Sequence, residues 1–338
     1  MSGHRPEVLL AMSPDVFDLQ FGVRELDRLR ALAALGDPLV AHDFSAPDVR
    51  RRLADVEVLI TSWGCRPIDS DVLAAAPNLR AALHAAGSMR GHVGDAVFDR
   101  GVLVTTAAHV NAEPVAQYTA AAILWAFKKV PFLAADARRF REDWSYRELR
   151  GELSGLDRTI VLVGFSRVGR RVVDLLRRLD LGRLLVVDPV VDPALVRAAG
   201  AELVPLAEAL PQADVLSLHA PALPETRHLI GAAELAALPD HATLLNTARG
   251  SLVDTAALEE ACAAGRLHAV LDVTDPEPLP ASSPLYDLPN VVITPHVAGS
   301  LGSETRLMAA AALDELERYV VGLTPIEAVT RHGLAVQA

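Results

Sequence analysis

The chain has 338 residues, 51% of them hydrophobic, and a formal net charge of −11 at pH 7. A chain of this length and apolar content can bury a large core and suggests two domains. The negative charge is spread along the sequence without long basic runs, which argues against a nucleic-acid partner. The longest apolar stretch, at residues 120–127, is far shorter than the ~20 residues of a membrane-spanning helix, so no membrane role is expected.

The cysteines and the N-terminal residues bear on the compartment. Cys65 and Cys262 lie far apart in sequence and fit neither a metal-ligand spacing nor a disulfide framework. This usage favours a reducing compartment and a protein without a metal site. The apolar run at residues 8–12 is too short for the core of a secretion signal. We therefore expect a cytoplasmic protein.

In chain order, short apolar runs alternate with helical patterns. Four predicted strands precede residue 111, in EVLLAM, VEVLIT, LRAALHA and GVLVTT, and six follow residue 146, in TIVLVG, RLLVVD, DVLSLH, ATLLN, LHAVLDV and NVVIT. Continuous apolar runs are typical of strands buried on both faces, and alternating strands and helices predict parallel sheets. The predicted fold class is α/β, with two Rossmann-like or flavodoxin-like doubly wound parallel-sheet domains and a cleft between them.

Two helical stretches set the predicted division into domains. Residues 111–146 form a long connector in which Pro114 fits the first helical turn, and a late helix is expected to open at Ser303 and close at Gly322. The predicted domains are residues 1–106 with 300–338, which hold the substrate, and residues 107–299, which bind the cofactor.

The stretch TIVLVGFSRVGRRVV places a Gly-x-x-x-x-Gly turn between a strand and a helix. Gly164 permits a sharp turn, Gly169 permits close packing of helix and strand, and the helix N-terminus offers free N–H groups to a pyrophosphate. Ser166 occupies the position of the second glycine in the usual G-x-G-x-x-G pattern. The context predicts a dinucleotide site, although a tight structural turn is the alternative.

An acidic residue follows at the spacing that a dinucleotide site requires. Asp188 ends the next strand, 19 residues after Gly169, where a carboxylate can accept hydrogen bonds from both ribose hydroxyls of an adenosine. The same charge would repel the 2′-phosphate of NADP, and no arginine follows closely. The sequence thus favours NAD over NADP, with a turn-forming aspartate before Pro189 as the structural alternative.

Four later stretches each begin at the end of a predicted strand: HAPALPETRHLI, LLNTARGSLVDTAAL, LDVTDPEPLP and NVVITPHVAGS. Together with the glycine turn, they closely resemble the D-isomer-specific 2-hydroxyacid dehydrogenase family. The resemblance implies that Arg249 binds the substrate carboxylate and polarises its carbonyl group. It implies that His296 is the acid–base group and that Glu277 orients it and stabilises its protonated form. A guanidinium fork suits a carboxylate, and imidazole titrates near neutral pH. Isolated loop residues of these types are commonly structural, which is the alternative for each one taken singly.

The same resemblance extends to the cofactor contacts. Asp272 matches the aspartate that accepts from the nicotinamide carboxamide, Thr247 and Ala248 line the nicotinamide side, and a loop from His219 passes over the adenine and phosphates. For His219, a hydrogen-bonded histidine at a strand end is an equal alternative. The full set implied for the cofactor is Gly164, Ser166, Arg167, Val168, Gly169, Asp188, Pro189, His219, Pro221, Thr226, Thr247, Ala248, Asp272 and Gly299.

The stretch HAAGSMRGHVG lies where the family carries a Gly-x-Gly-x-Asp loop whose backbone amides bind the substrate carboxylate. The alignment gives Gly87 and Ser88 as the binding pair, with serine in place of a glycine and Arg90 in place of the aspartate. Gln117 likewise stands where the family usually has glutamate. These departures affect the expected substrate and leave the hydride-transfer residues in place.

The resemblance implies NAD-dependent hydride transfer between a small D-2-hydroxy acid and its 2-keto acid by a homodimeric enzyme. Two alternatives use the same scaffold. One is an NAD(H)-sensing regulator similar to the family's co-repressor relatives, and the other is a formate- or phosphite-type dehydrogenase.

Overall fold

A computed structural model of the chain describes residues 4–336, which divide by their internal contacts into two units. Among the described residues, the first unit comprises 4–111 together with 300–336, and the second comprises Ala112–Gly299. The assignment of substrate to residues 1–106 with 300–338, and of cofactor to residues 107–299, stays a prediction.

The strands fall into two sheets, one in each unit. In the first unit they are β1 Glu7–Ala11, β2 Ala34–Ala41, β3 Val58–Thr61, β4 Ala81–His84 and β5 Leu103–Thr106. In the second unit they are β6 Thr159–Val163, β7 Arg183–Val187, β8 Glu202–Leu203, β9 Val215–Leu218, β10 Thr243–Asn246, β11 His268–Leu271 and β12 Val291–Ile293.

The α-helices connect these strands. In chain order they are α1 Pro14–Gln20, α2 Val23–Leu32, α3 Pro47–Leu53, α4 Ser70–Ala75, α5 Asp95–Asp99, α6 Ala108–Phe127, α7 Val130–Phe140, α8 Arg167–Leu176, α9 Pro193–Ala198, α10 Leu206–Ala209, α11 Ala232–Ala237, α12 Thr255–Ala263, α13 Thr305–Val321 and α14 Arg331–Val336.

The sheet of the first unit has the order β2-β1-β3-β4-β5, with every pair parallel. This is a flavodoxin-like order, as the fold class predicted. Strand β2 was absent from the prediction because Gly36, Asp37 and Pro38 interrupt its apolar pattern. Its pairing with β1 carries a matching irregularity, where the register shifts between Val8 and Leu10.

The sheet of the second unit has the order β12-β11-β10-β9-β6-β7-β8, again with every pair parallel. The chain moves outward from β6 to β8 and then returns to β9, on the other side of β6. The carboxyl ends of β6 and β9 therefore form the topological switch point, where open α/β sheets bind ligands. Strand β8 was also not predicted, because two residues are too short to give a pattern.

Each sheet is buried on both faces, which explains the continuous apolar runs of its central strands. In β6, for example, Val161 and Val163 belong to one apolar cluster, whereas Ile160 and Leu162 belong to the cluster on the opposite face. Alternate side chains of a strand point to opposite faces, so both faces must be apolar.

The connector helix differs from its prediction at both ends. Helix α6 begins at Ala108, so Pro114 lies inside it and not in its first turn. The helical stretch that follows is broken at Lys129, which has a left-handed backbone with φ of 49° and precedes α7. Helix α13 starts at Thr305, after a short turn containing Ser303, and ends at the left-handed Gly322 as predicted.

Candidate active site

Three adjacent strands of the second unit present the predicted catalytic residues. Strands β10, β11 and β12 are neighbours and parallel, and Arg249, Glu277 and His296 lie in the loops that follow them. Parallel strands end at the same edge of a sheet, and neighbouring strands are only ~4.8 Å apart. The topology therefore brings the three loops to one edge.

The histidine and the glutamate form a direct contact. Nδ1 of His296 lies 2.6 Å from Oε1 of Glu277, and the two side chains are 53% and 42% exposed. Because the carboxylate occupies Nδ1, the other ring nitrogen, Nε2, is left to exchange a proton with a bound molecule.

The loop carrying His296 is held by a buried carboxylate. His296 has a left-handed backbone with φ of 53°. Asp272 is 2% exposed and accepts hydrogen bonds from the amides of Val297, at 2.8 Å, and Ala298, at 2.9 Å. It also accepts from the hydroxyl of Thr294 at 2.6 Å, and its own carbonyl accepts from the amide of His296 at 3.0 Å. This one residue thereby fixes the backbone on both sides of the histidine.

These contacts bear on the role that the resemblance gives to Asp272. A carboxylate offers about four acceptor positions. Thr294 and Val297 use Oδ1, whereas Ala298 alone uses Oδ2. One position on Oδ2 is compatible with a carboxamide N–H, and this role stays a prediction.

The loop carrying Arg249 is fixed by the side chain of Asn246 at the end of β10. The amide nitrogen of Asn246 donates to the carbonyl of Arg249 at 2.9 Å, and its oxygen accepts from the N–H of Ala248 at 3.0 Å. Behind this loop, a Cβ added at Gly250 would lie 2.0 Å from the backbone of Thr274. The guanidinium of Arg249 is thus carried by a rigid turn, and one of its nitrogens donates to the carbonyl of Ala248 at 2.6 Å.

The glycine turn has the geometry that close backbone packing demands. Gly164 has φ of +102°, and a Cβ there would lie 2.7 Å from the backbone of His219 and Ala220. A Cβ at Gly169 would lie 2.2 Å from the carbonyl oxygen of Gly164. Both positions therefore require glycine.

Ser166 is the N-cap residue of helix α8. Its backbone is extended, with φ of −71°, and its hydroxyl accepts from the N–H of Gly169 at 3.4 Å. A serine at this position is favourable because an N-cap side chain satisfies one of the free amides of the helix. The amides of Arg167 and Val168 start the ten-residue helix α8, whose N-terminus is suited to a phosphate group.

Asp188 is tied to the glycine turn through the backbone. Its carboxylate accepts from the N–H of Phe165 at 2.8 Å and from those of Val190 and Val191 at 3.0 Å each. The turn that contains Pro189 is thus built on this carboxylate. These contacts are those of a turn-forming aspartate, which was the structural alternative for Asp188. The contact of Asp188 with the ribose stays a prediction.

His219 and the loop after it are also internally bonded. The ring of His219 is 3% exposed, its Nε2 lies 2.9 Å from the hydroxyl of Ser217, and burial lowers its pKa to about 3. Thr226 donates its hydroxyl to the carbonyl of Pro221 at 2.6 Å. The contacts of His219 are those of a hydrogen-bonded histidine at a strand end, which was its structural alternative. A cofactor role for His219, Pro221 and Thr226 stays a prediction.

Gly87 and Ser88 belong to the first unit, in the loop after β4. The hydroxyl of Ser88 accepts from the N–H of Arg90 at 3.3 Å, and the exposed Arg90 guanidinium lies 3.4 Å from the carbonyl of Leu334. In the second unit, Gln117 donates to Glu113 at 2.9 Å. Ser88 and Gln117 therefore make local contacts, whereas Arg90 also reaches the C-terminal part of the chain.

Within residues 4–336, no three His, Cys, Asp or Glu side chains are grouped as metal ligands, and no α-helix has the length and apolarity to cross a bilayer.

Known proteins of similar sequence indicate the family of the chain. Residues 120–298 match the family model described as "D-isomer specific 2-hydroxyacid dehydrogenase, NAD binding domain". The chain belongs to this family. It is 37% identical to the D-3-phosphoglycerate dehydrogenase of Mycobacterium tuberculosis over 80% of this chain and 51% of that protein. It is 35% identical to the glyoxylate reductase of Aeropyrum pernix over 80% of this chain and 82% of that protein.

A solved structure extends the comparison to the whole fold. A protein from Thermus thermophilus superposes with a TM-score of 0.75 at 33% identity, covering 96% of this chain and all of that one. The chain spans only about half the length of the phosphoglycerate dehydrogenases that it matches, the share being 51% for the mycobacterial protein.

Membership of the family leaves unexplained several residues that the structure places around the loops of Arg249 and His296. Tyr118 and Thr119 on α6, Thr294 after β12 and Asn246 at the end of β10 were all absent from the predicted site. A faint signal existed for one pair, since Tyr118 and Thr119 are adjacent hydroxyl residues in an otherwise apolar part of the helix.

Proposed function

We propose that this protein is an NAD-dependent oxidoreductase that interconverts a small D-2-hydroxy acid and the corresponding 2-keto acid. One observation carries the proposal. The contacting pair His296–Glu277, at 2.6 Å, shares one edge of three adjacent parallel strands with Arg249, in the part of the chain that matches the family's NAD-binding domain.

Arg249 binds and orients the acid. Its guanidinium is permanently charged and presents a planar pair of donors that matches a carboxylate. The rigid turn built by Asn246 limits the motion of this group. Orientation of the substrate before reaction is itself a major source of rate enhancement.

His296 holds and moves the proton at Nε2. In the reducing direction the imidazolium donates to the carbonyl oxygen of the keto acid, and in the oxidising direction the neutral ring removes the proton of the hydroxyl group. Glu277 fixes the ring through Nδ1 in both directions. When bound, NADH would supply the hydride for reduction of the keto acid, and NAD⁺ would accept it in the oxidising direction.

The cofactor proposed is NAD in preference to NADP. Asp188 follows β7, next to the glycine turn, and its carboxylate would repel a 2′-phosphate. Three backbone donors hold this carboxylate in place, so it cannot easily turn away.

The substrate class proposed is a small 2-keto acid, with the amides of Gly87 and Ser88 as additional carboxylate donors. The relatives act, by their names, on D-3-phosphoglycerate and glyoxylate. Arg90, in place of an acidic residue, adds positive charge to the loop after β4, which favours an acid with a further negative group.

A steady-state screen tests the function. Purified protein is mixed with NADH or NADPH and a panel of 2-keto acids that includes glyoxylate, pyruvate and keto acids with a second anionic group. We expect oxidation of NADH with at least one compound, and slower oxidation of NADPH. Tight binding of NADH without turnover of any compound would contradict the proposed enzymatic activity. It would favour the alternative of an NAD(H)-sensing regulator.

We also propose a homodimer in the cytoplasm. Several large apolar side chains of the second unit are exposed, and burial against a second copy would remove them from water. They are Leu124, Trp125, Phe140, Trp144 and Leu149, with exposures from 38% to 69%. Cys65 and Cys262 are free, buried thiols, as suits a reducing compartment.

A further inference from the structure

Two neighbouring hydroxyl residues of helix α6 reach the two catalytic loops of the second unit. The hydroxyl of Tyr118 lies 2.8 Å from Oγ1 of Thr294, which follows β12. The hydroxyl of Thr119 lies 2.9 Å from Oγ1 of Thr247, which follows β10. One turn of one helix thus contacts the loop of His296 and the loop of Arg249.

The direction of the hydrogen bond between Tyr118 and Thr294 follows from the number of hydroxyl protons available. Thr294 donates its single hydroxyl proton to Oδ1 of Asp272 at 2.6 Å, since a carboxylate can only accept. Tyr118 must therefore donate to Thr294. The result is a directed chain from Tyr118 through Thr294 to Asp272, the residue that holds the backbone around His296.

The surroundings keep this chain intact. Burial raises the pKa of Tyr118 and outweighs the hydrogen bond to Thr294, which lowers it; the nearby charge of Asp272 raises it further, so the hydroxyl keeps the proton that it donates. Thr119 is fully buried and Thr247 is 8% exposed. Buried hydroxyl groups that lose a partner are costly, so the contact between Thr119 and Thr247 resists opening.

We propose that Tyr118 and Thr119 are positioning residues that set the placement of His296 and Arg249, acting through Thr294 and Thr247. The inference rests on the proposed function for its kinetic consequences. Tyr118 acts on the proton-transfer group, so its effect falls on kcat. Thr119 acts on the carboxylate-binding loop, so its effect falls on KM for the keto acid.

Substitutions that remove only the hydroxyl groups test this division. Tyr118→Phe is expected to lower kcat about fivefold to tenfold with little change in KM, the range expected for one lost hydrogen bond. Thr119→Val is expected to raise KM by a similar factor, and Thr119→Ser, which keeps the hydroxyl, to restore the wild-type value. Tyr146→Phe is the matched control, because Tyr146 is another tyrosine of the second unit, one that stacks on Phe140.

A double-mutant cycle tests whether Tyr118 acts through Thr294. If it does, Tyr118→Phe has no further effect on kcat in the Thr294→Val background. Independent, multiplying effects of the two substitutions would overturn the proposed chain of contacts.

Hydrogen exchange supplies a readout that does not depend on activity. The amides of Val297 and Ala298, which donate to Asp272, are expected to exchange faster in Tyr118→Phe than in wild type or Tyr146→Phe. Unchanged exchange in this loop would overturn the inference even in an active enzyme. A wild-type protein without turnover would instead refute the proposed function and leave the exchange test to decide the inference.

Discussion

His296 and Glu277 are brought together by tertiary structure and not by sequence proximity. Nineteen residues separate them, yet their side chains meet at 2.6 Å because β11 and β12 are neighbouring parallel strands. The contact leaves Nε2 of His296 for the proposed proton transfer, and Arg249 lies in the loop after the neighbouring strand β10. In the proposed mechanism each residue has a separable effect on catalysis.

Replacing His296 by alanine removes the proposed proton-transfer group. We expect His296→Ala to lower kcat by roughly 10²- to 10⁴-fold, the usual contribution of a positioned acid–base group. His4→Ala is a matched control, since His4 lies 2.8 Å from Glu57 in another His–Glu pair, in the first unit. Turnover of the His296 variant at the wild-type rate, measured by NADH oxidation, would remove this residue from the mechanism.

Replacing Arg249 by lysine keeps the charge and loses the planar pair of donors. We expect Arg249→Lys to raise KM for the keto acid and to lower kcat, because one ammonium group cannot orient a carboxylate through two parallel bonds. Arg178→Lys, at an exposed residue just after α8, is the control. A KM equal to that of wild type would argue against contact between Arg249 and the carboxylate.

Single residues also show where sequence reasoning stops. The resemblance identified Arg249, Glu277 and His296 as a set, because each stands in a distinctive motif. It did not identify Tyr118 or Thr294, whose contact joins positions 176 residues apart and has no local pattern. Ser166 was recognised as a departure, but its function as a helix cap became evident only from its contact with Gly169.

Among the elements, the strand–turn–helix from β6 to α8 requires glycine where backbone segments pack closely. Gly164 and Gly265 both have positive φ, but a Cβ at Gly164 meets the backbone of His219 and Ala220, whereas a Cβ at Gly265 has no atom within 4 Å. The two positions therefore separate the cost of backbone conformation from the cost of contact.

Alanine substitution at both glycines measures that difference. Each variant bears the cost of a left-handed backbone, about 1 to 2 kcal/mol. We expect Gly164→Ala to lose a further amount of about 1 to 3 kcal/mol, the usual cost of overpacking. Urea unfolding measures the loss of stability in Gly164→Ala and in Gly265→Ala. Equal losses would mean that the backbone around Gly164 moves to accommodate the added Cβ without cost.

Strands were predictable in proportion to the continuity of their apolar pattern. Runs such as TIVLVG and DVLSLH are buried on both faces and were identified as β6 and β9. Strand β2 carries Gly36 and Pro38, and β8 has only two residues, so neither produced a signal. The start of α6 was misplaced because Pro114 is typical of a first turn and here lies inside the helix.

At the scale of the whole molecule, buried histidines link stability to pH. Burial lowers the pKa of His84, His219 and His268 to about 3, so each stays neutral in the folded protein while the unfolded chain takes up protons below pH 6.5. The unfolded state thus binds more protons between pH 6.5 and 3, and stability falls as the pH falls through that window.

Replacing one of these buried histidines makes the free energy of unfolding depend less steeply on pH. We expect His268→Gln to reduce the slope of the free energy of unfolding by about 1.4 kcal/mol per pH unit between pH 6 and pH 4. Urea titrations at several pH values give the slope, and measurements at pH 8 give the direct cost of the substitution. An unchanged slope would mean that His268 is protonated in the folded protein.

If the protein is a homodimer, a charged residue placed in the dimer interface should lower the molecular mass measured in solution. We expect Trp125→Glu to shift the protein from dimer to monomer, because a carboxylate would be buried without a partner. Val23→Glu, at a residue of the first unit that is 78% exposed, is the control and should leave the mass unchanged. Light scattering after size exclusion measures both, and a monomeric wild type would refute the dimer.

The sequence by itself determined the α/β class, most of the strands, the glycine turn and the family. These features are local, because apolar runs, turn residues and short motifs are each read within a few consecutive residues. Tertiary structure alone decided the order of the strands, and hence that the loops after β10, β11 and β12 share one edge. It also decided which donors hold Asp272, since hydrogen bonds between distant residues depend on where the sheet places them.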